Sequence, residues 1–372
     1  MSSRSNSRHI AIYVPSLRGG GAERIMVILA NGMAARGHQV DLVLTQAVGP
    51  YLPEVADNVR IVDMKRGRVL ASLLPLARYL RRERPDAMLS ALNHANIIAI
   101  LARKLARSST RLIVSERNSL TSDSGGTVRK VIRTLMRHFY PAADGVIAVS
   151  QAMKEELIKE LHLPSEKVVA IPNPIDFTAL DPLARKRPDH PWFANGQPPV
   201  ILAVGRLAPQ KDFETLLKAF SLVHSRRSVR LVILGEGPLR PELEQCAEQL
   251  GIADKTDLVG FKDNPFGWMS ACDLFVLSSR HEGFPNVLVQ AMACGARVVS
   301  TDCPTGPNEI LEGGRWGRLV PVGDADALAN AMAAALDDPS PPDVRKRAED
   351  FRSELAVEAY VALLCPPPRD RS

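Results

Sequence analysis

The chain has 372 residues, 45% of them hydrophobic and 24% charged. That composition excludes a disordered, collagen-like or low-complexity polymer, and the length points to two domains, since one core rarely grows past about 250–300 residues. The formal charge of +6 is uneven: residues 1–175 carry 25 Lys/Arg against 14 Asp/Glu, and the remaining 197 carry 22 against 27. Basicity confined to the first half suggests an anionic partner for one domain only: nucleic acid, membrane surface or substrate.

Short β-branched runs alternate with longer amphipathic stretches. Strands are predicted at 10–14, 40–44, 60–62, 87–90, 111–114, 145–148 and 168–171, with helices at 23–35, 70–82, 96–106, 128–139 and 151–161. The rhythm restarts with strands at 200–204, 231–234, 257–259, 274–277 and 297–300, and helices at 213–223, 239–250, 287–293 and 325–336. Apolar strands alternating with helices predict an α/β fold of parallel sheets covered on both faces. Residues 172–199 hold seven prolines without periodicity, the composition of a linker. The expected organisation is a Rossmann-like domain over 1–177, a linker at 178–199 and a second Rossmann-like domain over 200–344. Residues 345–372 then form a C-terminal helix and tail able to cross back to the first domain. Two such domains would face a ligand across a cleft at their strand C-termini.

Five cysteines, Cys246, Cys272, Cys294, Cys303 and Cys365, are odd in number and lack C-x-x-C spacing. They suggest a reducing cytoplasm rather than a disulfide framework or zinc site. The polar opening leads into an apolar run too short for a signal peptide. The densest apolar run, 97–102, is far below the roughly 18 residues that span a bilayer, so the sequence reads as soluble or peripheral.

Gly19, Gly20 and Gly21 follow the first predicted strand and open a helix. Glycines let the backbone approach a ligand, and a helix N-terminus offers unpaired N–H groups to an anion; the same run also suits an ordinary tight turn. It does not match G-x-G-x-x-G, so no nicotinamide cofactor is implied. Past the strand at 200–204 come Gly205, Arg206 and Lys211. Two cations five residues apart at a strand exit suit a diphosphate, or a solvated loop. Gly235 and Gly237 mark a second exit of this kind. At a third, Glu282, Gly283, Phe284, Pro285 and Asn286 precede a helix that carries Gln290. Three anion-friendly exits in one domain indicate a nucleotide-diphosphate site. The one D-x-D string, Asp324 to Asp326, precedes a helix and fits its cap, so no metal is implied.

The segments GRLAPQKDFETLLKAF, LGEGPLRPELE and SSRHEGFPNVLVQAMACGARVVSTDCPTGPNEIL resemble the second domain of family-4 retaining glycosyltransferases of GT-B fold. PSLRGGGAER, VSERN, VIAVSQAMKEEL and IPNPID resemble the first domain, so the resemblance covers nearly the whole chain. The SERN and TDCPTGPNEI segments look closest to bacterial members that build polysaccharides or lipid-linked oligosaccharides from UDP-sugars. The resemblance gives Arg206 and Lys211 the donor diphosphate. Glu282 takes the first acidic position of the family's E-x-x-x-x-x-x-x-E signature, and the backbone from Gly283 to Asn286 lies against sugar and phosphates. The base lies near loops 235–238 and 260–262, the latter carrying Phe261. The second acidic position, which holds the ribose, is Gln290 here, a neutral acceptor expected to bind more weakly than a carboxylate. Many relatives carry a histidine where this chain has Glu116, Arg117 and Asn118. Arg117, Asn118 and His94 are the substrate-side candidates of the first domain, although a histidine in that position is equally a surface or structural one.

The resemblance implies sugar transfer with retention, in which the leaving β-phosphate takes the acceptor proton, with no cofactor beyond the nucleotide-sugar co-substrate. Domain closure would assemble the site. Basic excess concentrates at 60–84, with eight Lys/Arg, and at 103–137, with nine. Along 128–140, Val128, Val131, Ile132, Leu135, Met136 and Phe139 form one apolar face beside Arg129, Arg133 and Arg137. This pattern suits either an anionic bilayer surface or a domain helix with a solvated basic edge, and a buried apolar face with a basic edge on headgroups combines the two. The expected partners are a nucleotide-sugar, a polyprenyl-diphosphate-linked or glycan acceptor and the inner face of the cytoplasmic membrane. Nucleic acid is not expected, because no aromatic platform accompanies the charge. Two rival readings stay open: a UDP-sugar 2-epimerase of similar fold, and a degenerate transferase that only binds.

Overall fold

The computed structural model describes residues 7–120 and 127–367, apart from the side chains of 127–129. It divides into two compact units, one of residues 1–174 and 353–372 and the other of residues 175–352.

The first unit contains strands β1 (His9–Val14), β2 (Gln39–Leu44), β3 (Val59–Asp63), β4 (Ala87–Ala91), β5 (Arg111–Ser115), β6 (Gly145–Ala148) and β7 (Val168–Ala170). They pair in parallel in the order β3-β2-β1-β4-β5-β6-β7. The second unit contains β8 (Val200–Val204), β9 (Arg230–Leu234), β10 (Thr256–Gly260), β11 (Leu274–Leu277), β12 (Val298–Thr301) and β13 (Arg318–Val320), parallel in the order β10-β9-β8-β11-β12-β13. The predicted architecture of two doubly wound parallel sheets is therefore present. Central strands such as β1 and β8 are almost wholly buried, as sheets covered on both faces require. Strand order reverses between β1 and β4 and again between β8 and β11, and ligands of open α/β sheets bind at such reversals. β13 was missed because three residues on a sheet edge carry almost no pattern.

Two boundaries differ from expectation. The proline-rich stretch is not a free linker: Phe177–Ala184 forms a helix capped by Asp176, whose Oδ1 accepts from Ala179 N at 3.1 Å. Its Asp181 receives two bonds from Arg345 Nη2, at 2.7 and 2.9 Å. The C-terminal pattern is two helices, not one. Val344–Ala348 stays in the second unit, and the chain turns at Phe351 and Arg352 before Ser353–Leu364 joins the first. There Val357, Tyr360 and Leu364 are buried in the core. Gly32 makes room for them, since a Cβ on it would lie 2.6 Å from Val357 Cγ2. The Tyr360 hydroxyl accepts from Arg117 Nη2 at 2.9 Å.

Tyr360→Ala is expected to destabilise the first unit by about 3–5 kcal/mol through cavity formation. Tyr360→Phe should cost about 1–3 kcal/mol because Arg117 loses a buried partner. Urea unfolding of the intact chain measures both.

Candidate functional site

In the second unit, the loops leaving β8 and β11 flank the strand reversal. Lys211 and Glu282 meet there: Nζ lies 2.5 Å from Oε1, with side-chain exposures of 16% and 9%. Ser279 Oγ donates to the same oxygen at 2.7 Å, while Oε2 carries no hydrogen bond among the described residues and remains an open acceptor. The loop itself is fixed by hydroxyls that the sequence reading overlooked. Thr305 Oγ1 donates to Glu282 O, Thr301 Oγ1 to Ser279 O at 2.6 Å, and Ser278 Oγ to Lys211 O at 2.7 Å. Gln210 Nε2 donates to His281 O at 2.8 Å. Polar residues closing otherwise apolar strands, Ser278 after β11 and Thr301 in β12, were the available signal. Next to Lys211, Asp212 takes a left-handed φ of 48° and binds Thr215 Oγ1 at 2.9 Å and Arg280 at 3.1 Å. Strained backbone at a ligand loop is a recurring feature of binding sites.

Arg206 is exposed and makes no hydrogen bond or ion pair among the described residues. Its loop lies hard against the next one: a Cβ on Gly235, at φ +140°, would stand 1.9 Å from Gly205 O, and one on Gly237 would stand 2.2 Å from Leu207 O. These contacts require glycine and align two strand exits side by side. Phe261, just past β10, is 72% exposed. Gly283, Phe284 and Pro285 are buried and lead into helix Asn286–Ala293; Phe284 also packs edge-on against Phe351 with ring centroids 5.6 Å apart. The half-exposed Gln290 is the fifth residue of that helix. The structure thus gathers Gly205, Arg206, Lys211, Gly235, Gly237, Phe261 and residues 282–290 at the carboxyl end of one sheet. Asp324 does cap helix Ala325–Leu336, accepting from Ala327 N at 2.8 Å.

In the first unit, Gly19 has φ +112° and Gly20 caps helix Gly21–Ala35. That N-terminus already faces a carboxylate, because Glu23 Oε2 would lie 2.2 Å from a Cβ on Gly20. At the neighbouring reversal strand, Leu92 takes φ +77° just before helix Asn93–Ala106. His94 keeps a solvent-exposed edge, yet the protein packed around its ring holds its pKa below the ordinary imidazole value, against the pull of Glu23. Asn118 is exposed. Arg117 departs from the substrate role expected of it: it is 7% exposed and binds Asn173 and Tyr360, so it fastens the returning helix instead.

Its neighbour Glu116 is fully enclosed. Oε1 accepts from Asn96 Nδ2 at 2.9 Å and from the Tyr140 hydroxyl. Burial pushes its carboxyl up to about 7, against the pull of Tyr140, Asn96 and Arg117. Ser90 Oγ, Ser115 Oγ and Asn96 Oδ1 are buried there without partners among the described residues. A carboxyl raised on folding holds a proton that the unfolded chain releases, so its contribution falls as pH rises from about 4.5 to about 7. Relative to Glu116→Gln, the wild type should lose on the order of 3 kcal/mol of stability between about pH 5 and about pH 8, measured by urea titration.

Comparison with known proteins agrees with this architecture. Residues 19–179 match the family model described as Glycosyltransferase Family 4, and residues 198–338 match Glycosyl transferases group 1. Among similar proteins is the N-acetylgalactosamine-N,N'-diacetylbacillosaminyl-diphospho-undecaprenol 4-alpha-N-acetylgalactosaminyltransferase of Campylobacter jejuni, 27% identical over 94% of this chain and 95% of its own. The lipopolysaccharide core biosynthesis glycosyltransferase LpsE of Rhizobium meliloti is 27% identical over 94% and 97%. Among solved structures, Anabaena HepE in complex with UDP and glucose superimposes with a TM-score of 0.77 at 22% identity, covering 96% of this chain and 99% of that one. The two family models fall one on each unit, and the chain belongs to the family-4 and group-1 glycosyltransferases, with the GT-B fold.

Proposed function

We propose that this protein is a retaining glycosyltransferase that moves a sugar from a nucleoside diphosphate, of the UDP type, to a lipid-linked or glycan acceptor held by the first unit. It works as a peripheral protein at the cytoplasmic membrane surface. The observation that carries the donor half is Arg206, an exposed guanidinium with no hydrogen bond or ion pair among the described residues, at the same strand reversal as the Lys211–Glu282 pair. The HepE complex with UDP and the relative named for a diphospho-undecaprenol substrate support the choice of donor and acceptor classes. No helix among the described residues is long and apolar enough to cross a membrane.

In this reading Arg206 takes the diphosphate as a fork and Lys211 as a point charge. Glu282 orients Lys211 through Oε1 and offers Oε2 to a sugar hydroxyl. The bond from C1 to the β-phosphate oxygen breaks as the acceptor oxygen enters on the same face, and the acceptor proton passes to that phosphate oxygen. Arg206, Lys211 and the N–H groups around Gly283 stabilise the charge that develops on the departing group and do so without a metal ion. Gln290 accepts from the ribose as a neutral group.

The test is incubation with a panel of UDP-sugars, with UDP release and the product's anomeric configuration followed by NMR. Retention is expected, and Arg206→Ala should lower kcat/KM about 100- to 1,000-fold. Full turnover in that variant, or sugar interconversion without acceptor, would overturn the assignment. Gln290→Glu should tighten UDP binding about fivefold, since a charged acceptor adds about 1 kcal/mol; calorimetry measures it.

A further inference from the structure

The helix expected to lay one apolar face on the sheet and a basic edge on lipid is arranged differently. In Thr127–Phe139, Met136 is buried and Ile132 and Phe139 are half-buried, while Val131 and Leu135 are 52% and 39% exposed. The basic edge is not free either. Arg133 Nη1 donates to Glu160 Oε2 at 3.1 Å and Arg137 Nη2 to Glu160 O at 2.7 Å, tying the helix to Gln151–Leu161. Val128 and Arg129 lie outside the described side chains.

Other cations of these helices lack such ties. The side chains of Lys104, Arg107 and Lys130 are exposed and make no hydrogen bond or ion pair among the described residues. Lys104 and Arg107 border a pocket of about 330 Å³ between the carboxyl ends of helices Asn93–Ala106 and Thr127–Phe139, with His138 opposite and Ile100, Leu101 and Phe139 as apolar walls. The nearby Arg103 is already neutralised by Asp144. Helix Asn93–Ala106 is about 20 Å long at 1.5 Å per residue, and His94 lies at its other end, so this pocket is separate from the strand-end acceptor region. Leu105, 42% exposed, follows Lys104, and Val131, Leu135 and His138 follow one another at helical spacing.

Cations in a helix's last turn complement its dipole, but the dipole does not account for exposed aliphatic side chains beside them. Charge selects an anionic occupant. Apolar walls and exposed leucine and valine select one that joins its phosphate to hydrocarbon. A nucleic acid lacks the hydrocarbon and would call for aromatic platforms.

We propose that this face of the first unit docks on a bilayer and that the Lys104–Arg107–His138 pocket takes the phosphate of an anionic phospholipid headgroup. The proposal rests on the membrane reading above and adds a defined site to it.

The test is co-sedimentation at low salt with vesicles of phosphatidylcholine alone or mixed equally with phosphatidylglycerol. The wild type should bind the mixed vesicles and not the neutral ones. Lys104→Gln combined with Arg107→Gln should weaken binding about 30-fold, near fivefold per surface cation. Arg66→Gln combined with Arg68→Gln removes equal charge outside the pocket and should weaken binding by only a few-fold. Turnover of soluble acceptor without vesicles should stay at the wild-type level in both variants, which reports intact folding. Equal weakening in the two double variants would overturn the pocket while leaving membrane contact standing. Failure of the wild type to bind mixed vesicles would overturn both, and would leave the donor-site assignment to its own assay.

Discussion

At the carboxyl ends of β8 and β11 the chain must leave the sheet toward opposite flanks, because β9 is added beyond β8 and β12 beyond β11. Two loops therefore diverge from neighbouring strands and leave a crevice that no connection crosses. The remaining features of the second unit serve that constraint. Glycines at 235 and 237 let a further loop close against the β8 exit, and threonines of β12 and its exit pin the carbonyls of the β11 loop. Glu282 is thereby held by its backbone as well as its side chain, so Lys211 meets a carboxylate whose position is set before any ligand arrives. Preorganised charge of this kind is what the proposed transfer asks of the site, since a departing diphosphate is then stabilised without reorganisation.

Much of this was legible in the sequence because it is local. Strand exits announce themselves by an apolar run followed by glycine and a cation or carboxylate, and the structure gathers those at 205–211, 235–238 and 282–290 on one sheet end. What was not legible depended on distance in the chain. Arg117 is a substrate-side candidate by the resemblance, which sets it where many relatives carry a histidine; its partners Asn173 and Tyr360 are far along the sequence. Glu116 carried no sign of enclosure, which comes from Asn96 and Tyr140 on other elements. The proline-rich stretch concealed a helix because Pro182, inside it, breaks the usual pattern.

The uneven charge resolves in a similar way. A count assigns excess arginine and lysine to the first half, but many of those cations are internal fasteners: Arg133 and Arg137 on Glu160, Arg103 on Asp144, Arg117 on Asn173. Only the remainder can act outward, and Lys104, Arg107 and Lys130 stand beside exposed aliphatic residues rather than over the strand ends. In the proposed reading the acidic half needs few cations for its anion, because Arg206 and Lys211 are placed rather than numerous.

The return of Ser353–Leu364 to the first unit has a bearing on biogenesis. During synthesis the N-terminal sheet emerges complete in strands but lacks the helix that covers Gly32 and occupies Arg117. Its core therefore stays open while the whole second unit is made, and closes only when the last helix has left the ribosome. Domains usually fold in order of emergence; here the first to appear is the last to be finished, and a chain halted after residue 352 would present an unsealed hydrophobic face.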